Sequence, residues 1–348
     1  MQMTFNIFRG KRSYFAVLFL FVLVACRNPD KEELEAVNAK ADSLSIRLNL
    51  PELKAVNAEL LKDPGNADLY NKRALIYMSI KEFSGAVNDS KRAIKIDSTL
   101  PAYYNTLVDA YFSQNNTRQA KDLLEIVEKK FPENTVALLK SAELYFLVRQ
   151  YQKAIDQVNK ALKVDAALAK GYFLKGSIYR ESGDTARAIS SLETAIEQDN
   201  QYEDAYYDLG IIYAARRNPI ALEYYNNVLR VNPNNEDARY ARARLLQDVN
   251  KPDEAIAEYS AILLKNKKCD ICYYNMGAIY LEMKKDNEKA VEYFSKAIEI
   301  NPEYVGAYFA RGYSYSKMDK KDKAKADYEA CLRISPNYEA ALEGLSKL

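Results

Sequence analysis

The chain has 348 residues, with 50 basic and 48 acidic side chains, 28 tyrosines, 4 cysteines, no tryptophan and no histidine. The missing imidazole removes the commonest general base and the commonest transition-metal ligand. No glycine-rich phosphate loop is present either, so no catalytic residue, metal or other cofactor is expected. Three basic and no acidic residues fall in the first 25, which leaves 47 basic against 48 acidic beyond them, a balance that gives no reason to expect nucleic acid.

At the N-terminus, Arg9, Lys11 and Arg12 precede a 12-residue apolar run from Tyr14 to Ala25, which ends in Leu23-Val24-Ala25-Cys26. A spanning helix needs about 20 apolar residues. A basic start, a short apolar core and small residues before a cleavage point therefore read as a secretory signal over 1–25. The Leu-Val-Ala-Cys ending is similar to a bacterial lipobox. That resemblance implies cleavage before Cys26 and its diacylation, which anchors one end of the chain to a membrane. Arg27 stands where aspartate would favour inner-membrane retention in many Gram-negative bacteria, and Lys31-Glu32-Glu33 is similar to the acidic export signal of Bacteroidetes lipoproteins. The expected address is the outer membrane, on its periplasmic or surface-exposed side. Residues 26–50 then serve as a tether, with Leu34, Val37, Ala41, Leu44 and Leu48 on one helical stripe. Leu53 to Leu61 looks like a lone capping helix within 51–66, stopped by Pro64.

From residue 67 onward one step dominates. Ala86, Ala120, Ala154, Ala188, Ala221, Ala255, Ala290 and Ala324 recur every 33 to 35 residues, the mark of a stacked helical-hairpin array. Placing that alanine at position 20 defines units 67–100, 101–134, 135–168, 169–202, 203–235, 236–269, 270–304 and 305–338. Position 8 is small (Ala74, Ala142, Gly176, Gly210, Ala243, Gly277, Gly312) except for Val108. Position 11 is tyrosine except for Leu246, and proline at position 32 (Pro132, Pro233, Pro302, Pro336) stops the second helix. Small residues at 8 and 20 allow two helices to approach; the ring at 11 is expected to fill the space between neighbouring units. Unit 203–235 lacks one turn residue before Pro219, and unit 270–304 gains one near Asp286. Unit 236–269, with Arg239 at position 4 and Leu246 at 11, is expected to pack least well and to be a flex point. Residues 339–348 look like a truncated C-terminal cap.

These slots resemble the tetratricopeptide repeat (TPR), a 34-residue helix-turn-helix unit, over residues 67–338. The resemblance implies an all-α fold: a right-handed α-solenoid of eight TPR units with short helical caps, working as an interaction surface rather than through a catalytic pocket. It also implies that positions 2, 5, 9 and 12 of the first helices line a concave groove. Position 5 runs Asn71, Asn105, Leu139, Phe173, Tyr207, Tyr240, Tyr274, Phe309, changing from amide to aromatic, and position 9 adds Asp109, Glu143, Arg244 and Tyr313. An extended peptide or helix of a protein partner is expected across Phe173, Tyr207, Tyr240, Tyr274 and Phe309, since aromatic rings are common hot spots. Tyrosine at position 5 also serves packing in this family, and both readings stand. The carboxylate clamp of some family members is incomplete: Asn275 is present at position 6, but the preceding unit offers Tyr240 and Arg244.

Cys331 sits in a buried slot of the register. Cys269 and Cys272 form a C-x-x-C pair at the junction of the sixth and seventh units, read first as a local disulfide in an oxidising compartment, then as a redox pair, with zinc last for want of further ligands. The basic runs Lys317 to Lys325 and Arg239, Arg242, Arg244 read as solvated faces. The expected function is a lipid-anchored adaptor of the bacterial envelope that recruits a protein partner, in pilus, secretion, outer-membrane assembly or cell-wall enzyme complexes. The alternative is a glycan-binding or nutrient-uptake lipoprotein, weakly favoured by the tyrosines and disfavoured by the absence of tryptophan.

Overall fold

A computed structural model describes residues 50–348; the signal segment, Cys26, Lys31-Glu32-Glu33 and the stripe from Leu34 to Leu48 lie outside the described residues. The described chain is all helical: α1 (Pro51–Lys62), α2 (Ala67–Ser79), α3 (Phe83–Ile96), α4 (Pro101–Ser113), α5 (Thr117–Lys130), α6 (Thr135–Leu147), α7 (Tyr151–Val164), α8 (Ala169–Glu181), α9 (Thr185–Gln198), α10 (Glu203–Ala215), α11 (Ala221–Val231), α12 (Glu236–Asp248), α13 (Pro252–Lys265), α14 (Asp270–Glu282), α15 (Asn287–Ile300), α16 (Val305–Lys317), α17 (Lys321–Ile334) and α18 (Glu339–Ser346). Each period of the sequence is one antiparallel pair, and within each compact unit neighbouring helices stack in the manner of an α-solenoid. The chain divides into two compact units at Ile96 and Asp97. In the first, α1 buries Leu53, Val56 and Leu60 beside the α2–α3 pair. In the second, seven pairs and the closing helix α18 follow one another.

The alanine ladder lies at the helix-helix contact: all eight alanines at position 20 are fully buried. Position 8 faces position 24 of its own pair, and at the four glycines the facing side chain fills the space a Cβ would need; Val108 opposite Leu124 and Ala243 opposite Tyr259 depart from this. A methyl group on Gly210 would meet the Tyr225 ring at 2.6 Å, on Gly277 the Phe294 ring at 2.7 Å, and on Gly176 the Leu192 side chain at 2.7 Å. Where position 24 is smaller, as Ser90 or Val158, position 8 carries alanine. The position 24 side chains Tyr259, Phe294 and Tyr328 are among the largest fully buried groups, and their aromatic spacing of about one period was visible but unread in the sequence.

The ring at position 11 packs on its own second helix as well as toward the next pair. Tyr213 stacks on Tyr224 at 5.3 Å and Tyr280 on Tyr293 at 5.3 Å, while Arg187 covers Tyr179 at 5.0 Å. Turn closure between the helices uses a left-handed residue at almost the same place in every pair: Lys81, Asn115, Arg149, Gly183, Arg217, Asn250, Lys285 and Asp319. This is the capping turn in which a backbone N–H reaches back to the carbonyl of the position 11 residue, as from Gln150 to Tyr145 at 2.8 Å and Asp184 to Tyr179 at 2.9 Å. Only one of the eight positions is glycine, so composition gave little sign of it. The two register slips are absorbed here. The shortened turn delays α11 to Ala221, and the lengthened one ends in Asp286, whose side chain caps α15 by accepting the Lys289 N–H at 3.0 Å.

The irregular pair 236–269 is tied by charge, and it also holds three buried side-chain atoms without a hydrogen-bond partner: Arg242 Nε, Gln247 Oε1 and the Tyr259 hydroxyl oxygen. Glu258 accepts from Arg242 at 2.5 Å and from Arg239 at 3.1 Å, and Leu246 is buried in the position 11 slot. Arg239 and Arg242 are thus structural cations, not a solvated basic face. The same device recurs. Arg73 grips Asp89 at 2.6 and 2.8 Å and Asn57 at 2.7 Å. Arg311 grips Asp327 at 2.8 and 2.7 Å and Ser295 at 3.0 Å. In each case a cation at position 7 joins position 23 of its own pair to position 25 of the preceding second helix.

Candidate functional site

The candidate site is the first-helix face formed by positions 2, 5, 9 and 12. Asn71 lies in the first compact unit, half-buried, with its side-chain oxygen unpaired. The other predicted residues lie in the second unit. Asn105 is held by Asn134, whose amide donates to it at 2.9 Å. Asp109 pairs with Lys140 at 2.5 Å and Glu143 with Lys170 at 3.0 Å. Asp208, buried at position 6, pairs with Arg180; burial pushes its carboxyl up and Arg180 pulls against that shift. The early part of this face is therefore a ladder of internally satisfied charge.

From α8 onward the face turns aromatic. Phe173 packs on Tyr202 at 5.1 Å, Tyr207 on Tyr225 at 6.1 Å, Tyr240 on Tyr259 at 5.8 Å, and Tyr274 on Phe294 at 5.5 Å and Tyr304 at 5.0 Å. Phe309 packs on Tyr328 at 5.9 Å and Tyr338 at 5.4 Å, with Tyr313 beside it at 6.4 Å. The position 5 rings are half-buried: one side rests on the second helix and part remains on the surface. Packing and surface presentation are combined, so alanine at Tyr207, Tyr240 and Tyr274 together would disturb the core as well as the face. Sequence reasoning missed Tyr202, Tyr304 and Tyr338, which end their units at position 34 and lie against the position 5 rings. Their recurrence at the common period was the available signal. Burial pushes the Tyr202 and Tyr274 phenols up to about 12 and raises Tyr304 as well, so all are neutral at physiological pH.

Arg244 lies among these rings. Unlike Arg239 and Arg242 it is exposed, and its charge acts on Tyr259, Tyr274 and Tyr304. Burial lowers its guanidinium and Tyr240, Tyr259 and Asp248 raise it, with a net upward shift. Asn275 donates to the Tyr240 hydroxyl at 3.0 Å, and the buried Tyr259 hydroxyl has no hydrogen-bond partner. Just before this cluster, Cys269 and Cys272 are joined, with Cα atoms 5.3 Å apart. Cys269 occupies the N-cap of α14, where its sulfur accepts the Cys272 N–H at 3.2 Å. Cys331 is a buried free thiol. A separate cavity of about 560 Å³ lies between α5 and the α6–α7 pair, lined by Arg118, Lys121 and Lys153. Lys121 is paired with Glu125 at 2.6 Å and Lys153 sits over the Tyr145 ring, so two of its three cations are already engaged.

Comparison with known proteins matches four family models, described as TPR repeat or tetratricopeptide repeat, at residues 67–100, 105–170, 176–215, 221–276, 283–319 and 305–338. The chain is 24% identical over 338 residues to the rat DnaJ homolog subfamily C member 3, covering 85% of this chain and 65% of that protein. It is also 24% identical over 295 residues to the human DnaJ homolog subfamily C member 7, covering 76% and 60%. The chain thus spans less than two thirds of the length of these relatives. Among solved structures, the C-terminal part of a TPR repeat-containing protein from Cytophaga hutchinsonii superposes with a TM-score of 0.62 at 20% identity, covering 69% of this chain and 99% of that one.

Proposed function

We propose that this chain, which belongs to the tetratricopeptide-repeat family and is a protein-interaction scaffold, is a lipid-anchored adaptor of the bacterial cell envelope that binds an extended peptide or helix of a protein partner along its aromatic first-helix face. The observation that carries the reading is the run Tyr207, Tyr240, Tyr274 and Phe309, rings fixed on one side by the second helices and half-exposed, with the exposed Tyr313 stacked beside Phe309. Rigid aromatic area binds at low entropic cost because the rings are already ordered. The preceding part of the face, closed by its own ion pairs, supplies positioning rather than affinity. The membrane end of the proposal rests on the apolar run to Ala25 and on Cys26: two or more acyl chains give stable anchoring where one is marginal. The outer membrane is the proposed location, from Arg27 and Lys31-Glu32-Glu33.

Co-purification from native membranes, with mass spectrometry of the captured proteins, tests the reading. Tyr240→Leu combined with Tyr313→Ala changes the surface while keeping most of the core volume. The expected result is loss of the captured partner with unchanged helicity; unchanged capture would remove the aromatic face as the binding site. Cys26→Ser is expected to release the chain from the membrane fraction without affecting capture in detergent.

A further inference from the structure

We propose that the cavity between α5 and the α6–α7 pair binds an organic phosphate, with Arg118, Lys121 and Lys153 on the phosphate and Leu144, Tyr145 and Val148 under its apolar part. None of these residues stands at position 2, 5, 9 or 12, so the site is separate from the groove. The residue after the ladder alanine, at position 21, is Val87, Ile155, Ile189, Leu222, Ile256 or Val291 in six of the eight units. These side chains pack between neighbouring pairs: Val87 and Ile155 are buried, and Ile189 and Ile256 lie against the adjoining cores. The second unit has Lys121 there, and the other exception, Lys325, belongs to the last unit. Lysine carries its charge out toward water instead of filling an apolar slot, and a cavity of about 560 Å³ stands at this place. Arg118 at position 18 and Lys153 at position 19 of the next unit join Lys121. No other junction has more than one cation at these three positions.

Three cations face one carboxylate, Glu125, a net charge of +2. That matches the charge of about −2 on a phosphate monoester at neutral pH. Among the described residues Arg118 has no ion pair and no side-chain hydrogen bond, Asp122 one turn along its own helix included. Its planar fork can give a phosphate two parallel hydrogen bonds. Lys153 lies over the Tyr145 ring at 5.6 Å, which leaves N–H donors for a ligand. Lys121 pairs with Glu125 across one turn of α5 at 2.6 Å, both exposed, and such a pair contributes little and exchanges readily for a better-placed anion. Thr117 and Gln150, where α5 and α7 begin, also line the cavity. Neither helix has a side-chain cap, so two positive helix ends add to the field. Val148 is 55% exposed, and covering it with the apolar part of a ligand removes that surface from water.

The test is isothermal titration calorimetry of the detergent-solubilised full chain, at constant ionic strength, with phenyl phosphate, inorganic phosphate, benzoate and dihexanoyl phosphatidic acid. Phenyl phosphate is expected to bind more tightly than inorganic phosphate, which lacks the apolar part, and than benzoate, which lacks the second charge. Tighter binding of the phosphatidic acid than of phenyl phosphate assigns a lipid headgroup as the source; the reverse order assigns a soluble phosphate. Arg118→Ala is expected to weaken phenyl phosphate about 10- to 150-fold, the range for loss of a hydrogen bond to a charged group, and Arg118→Lys to recover part of it. Lys121→Ile installs the residue that fills this slot in three other repeats; it is expected to close the cavity and abolish binding with the circular dichroism unchanged. Glu125→Gln is expected to tighten binding, because the carboxylate competes for Lys121. No binding of phenyl phosphate to the wild type, equal binding of benzoate, or wild-type affinity in Arg118→Ala or Lys121→Ile would overturn the site. Partner capture by the aromatic face is expected to be the same in all of these variants.

Discussion

Removing the carboxylate of Asp327 isolates one of the two-bond arginine–aspartate contacts of the array. Asp327 is 5% exposed and accepts two hydrogen bonds from Arg311, at 2.8 and 2.7 Å. In Asp327→Ala the guanidinium keeps one side-chain hydrogen bond among the described residues, to the Ser295 hydroxyl at 3.0 Å. Stripping one partner from a fully buried pair costs about 3–5 kcal/mol; the Arg311 side chain retains 20% exposure, so partial solvation reduces this to about 2–4 kcal/mol. The double variant Arg311→Met/Asp327→Leu removes both charges and fills the space, and is expected to recover most of the loss because a buried pair and an apolar replacement are close in free energy. Urea unfolding followed by far-ultraviolet circular dichroism reads the effect, the chain having no tryptophan. The transition midpoint is the quantity to compare, since repeat arrays need not unfold in one step. A single variant within 0.5 kcal/mol of wild type, as a rough threshold, or a double variant no better than the single one, would refute the view that these cations hold the repeats together.

Phe294→Leu is expected to rescue Gly277→Ala: the added methyl meets two ring atoms at 2.7 Å, an overpacking cost of about 1–3 kcal/mol against a helix-propensity gain of about 1 kcal/mol, and thermal melts of the single and double variants check the sign. At the inter-helix turns, Arg149→Gly relieves a left-handed residue (φ 59) and is expected to stabilise by about 0.5–1 kcal/mol, whereas Gly183→Ala, at φ 88 with open space around it, is expected to destabilise; opposite signs in the same melts would remove the turn assignment. Folded Tyr202, Tyr224 and Tyr274 titrate near 12 instead of 10 because they are buried. A raised pKa keeps its stabilisation below the unfolded value and loses it as pH climbs toward the folded one, so unfolding midpoints are expected to fall between pH 10 and pH 12; a flat profile there would contradict their burial. Burial likewise pushes the Cys331 thiol up to about 11, and iodoacetamide is expected to leave it unmodified until the chain is denatured.

The register was legible because helix-helix contact allows few answers. Alanine at position 20 is the same solution reached eight times, and all eight are buried without remainder. What stayed hidden were pairings that need two positions at once. Glycine at 277 was visible as small, but its reason, the Phe294 ring, sits 17 residues away on the facing helix. The three arginines at 239, 242 and 244 read as one basic run. Folding separates them by helical angle, two onto Glu258 and one onto the exposed face. The left-handed turn residues were unreadable for another reason: lysine, asparagine, arginine and aspartate all occupy a conformation that glycine would announce.

Specialisation in such an array is then a matter of which pairings a repeat declines to make. A cation at position 7 finds its acid at position 23 in three repeats, and the ends of the fold are built no differently from its middle at Glu258. Because the scaffold is held by contacts internal to neighbouring pairs, the first-helix face is free to vary without loss of the stack. Asp109, Glu143 and Asp208 use that freedom to neutralise adjacent cations, which makes their stretch of the face costly to re-pair with a ligand, since a new partner must first replace a bond already made.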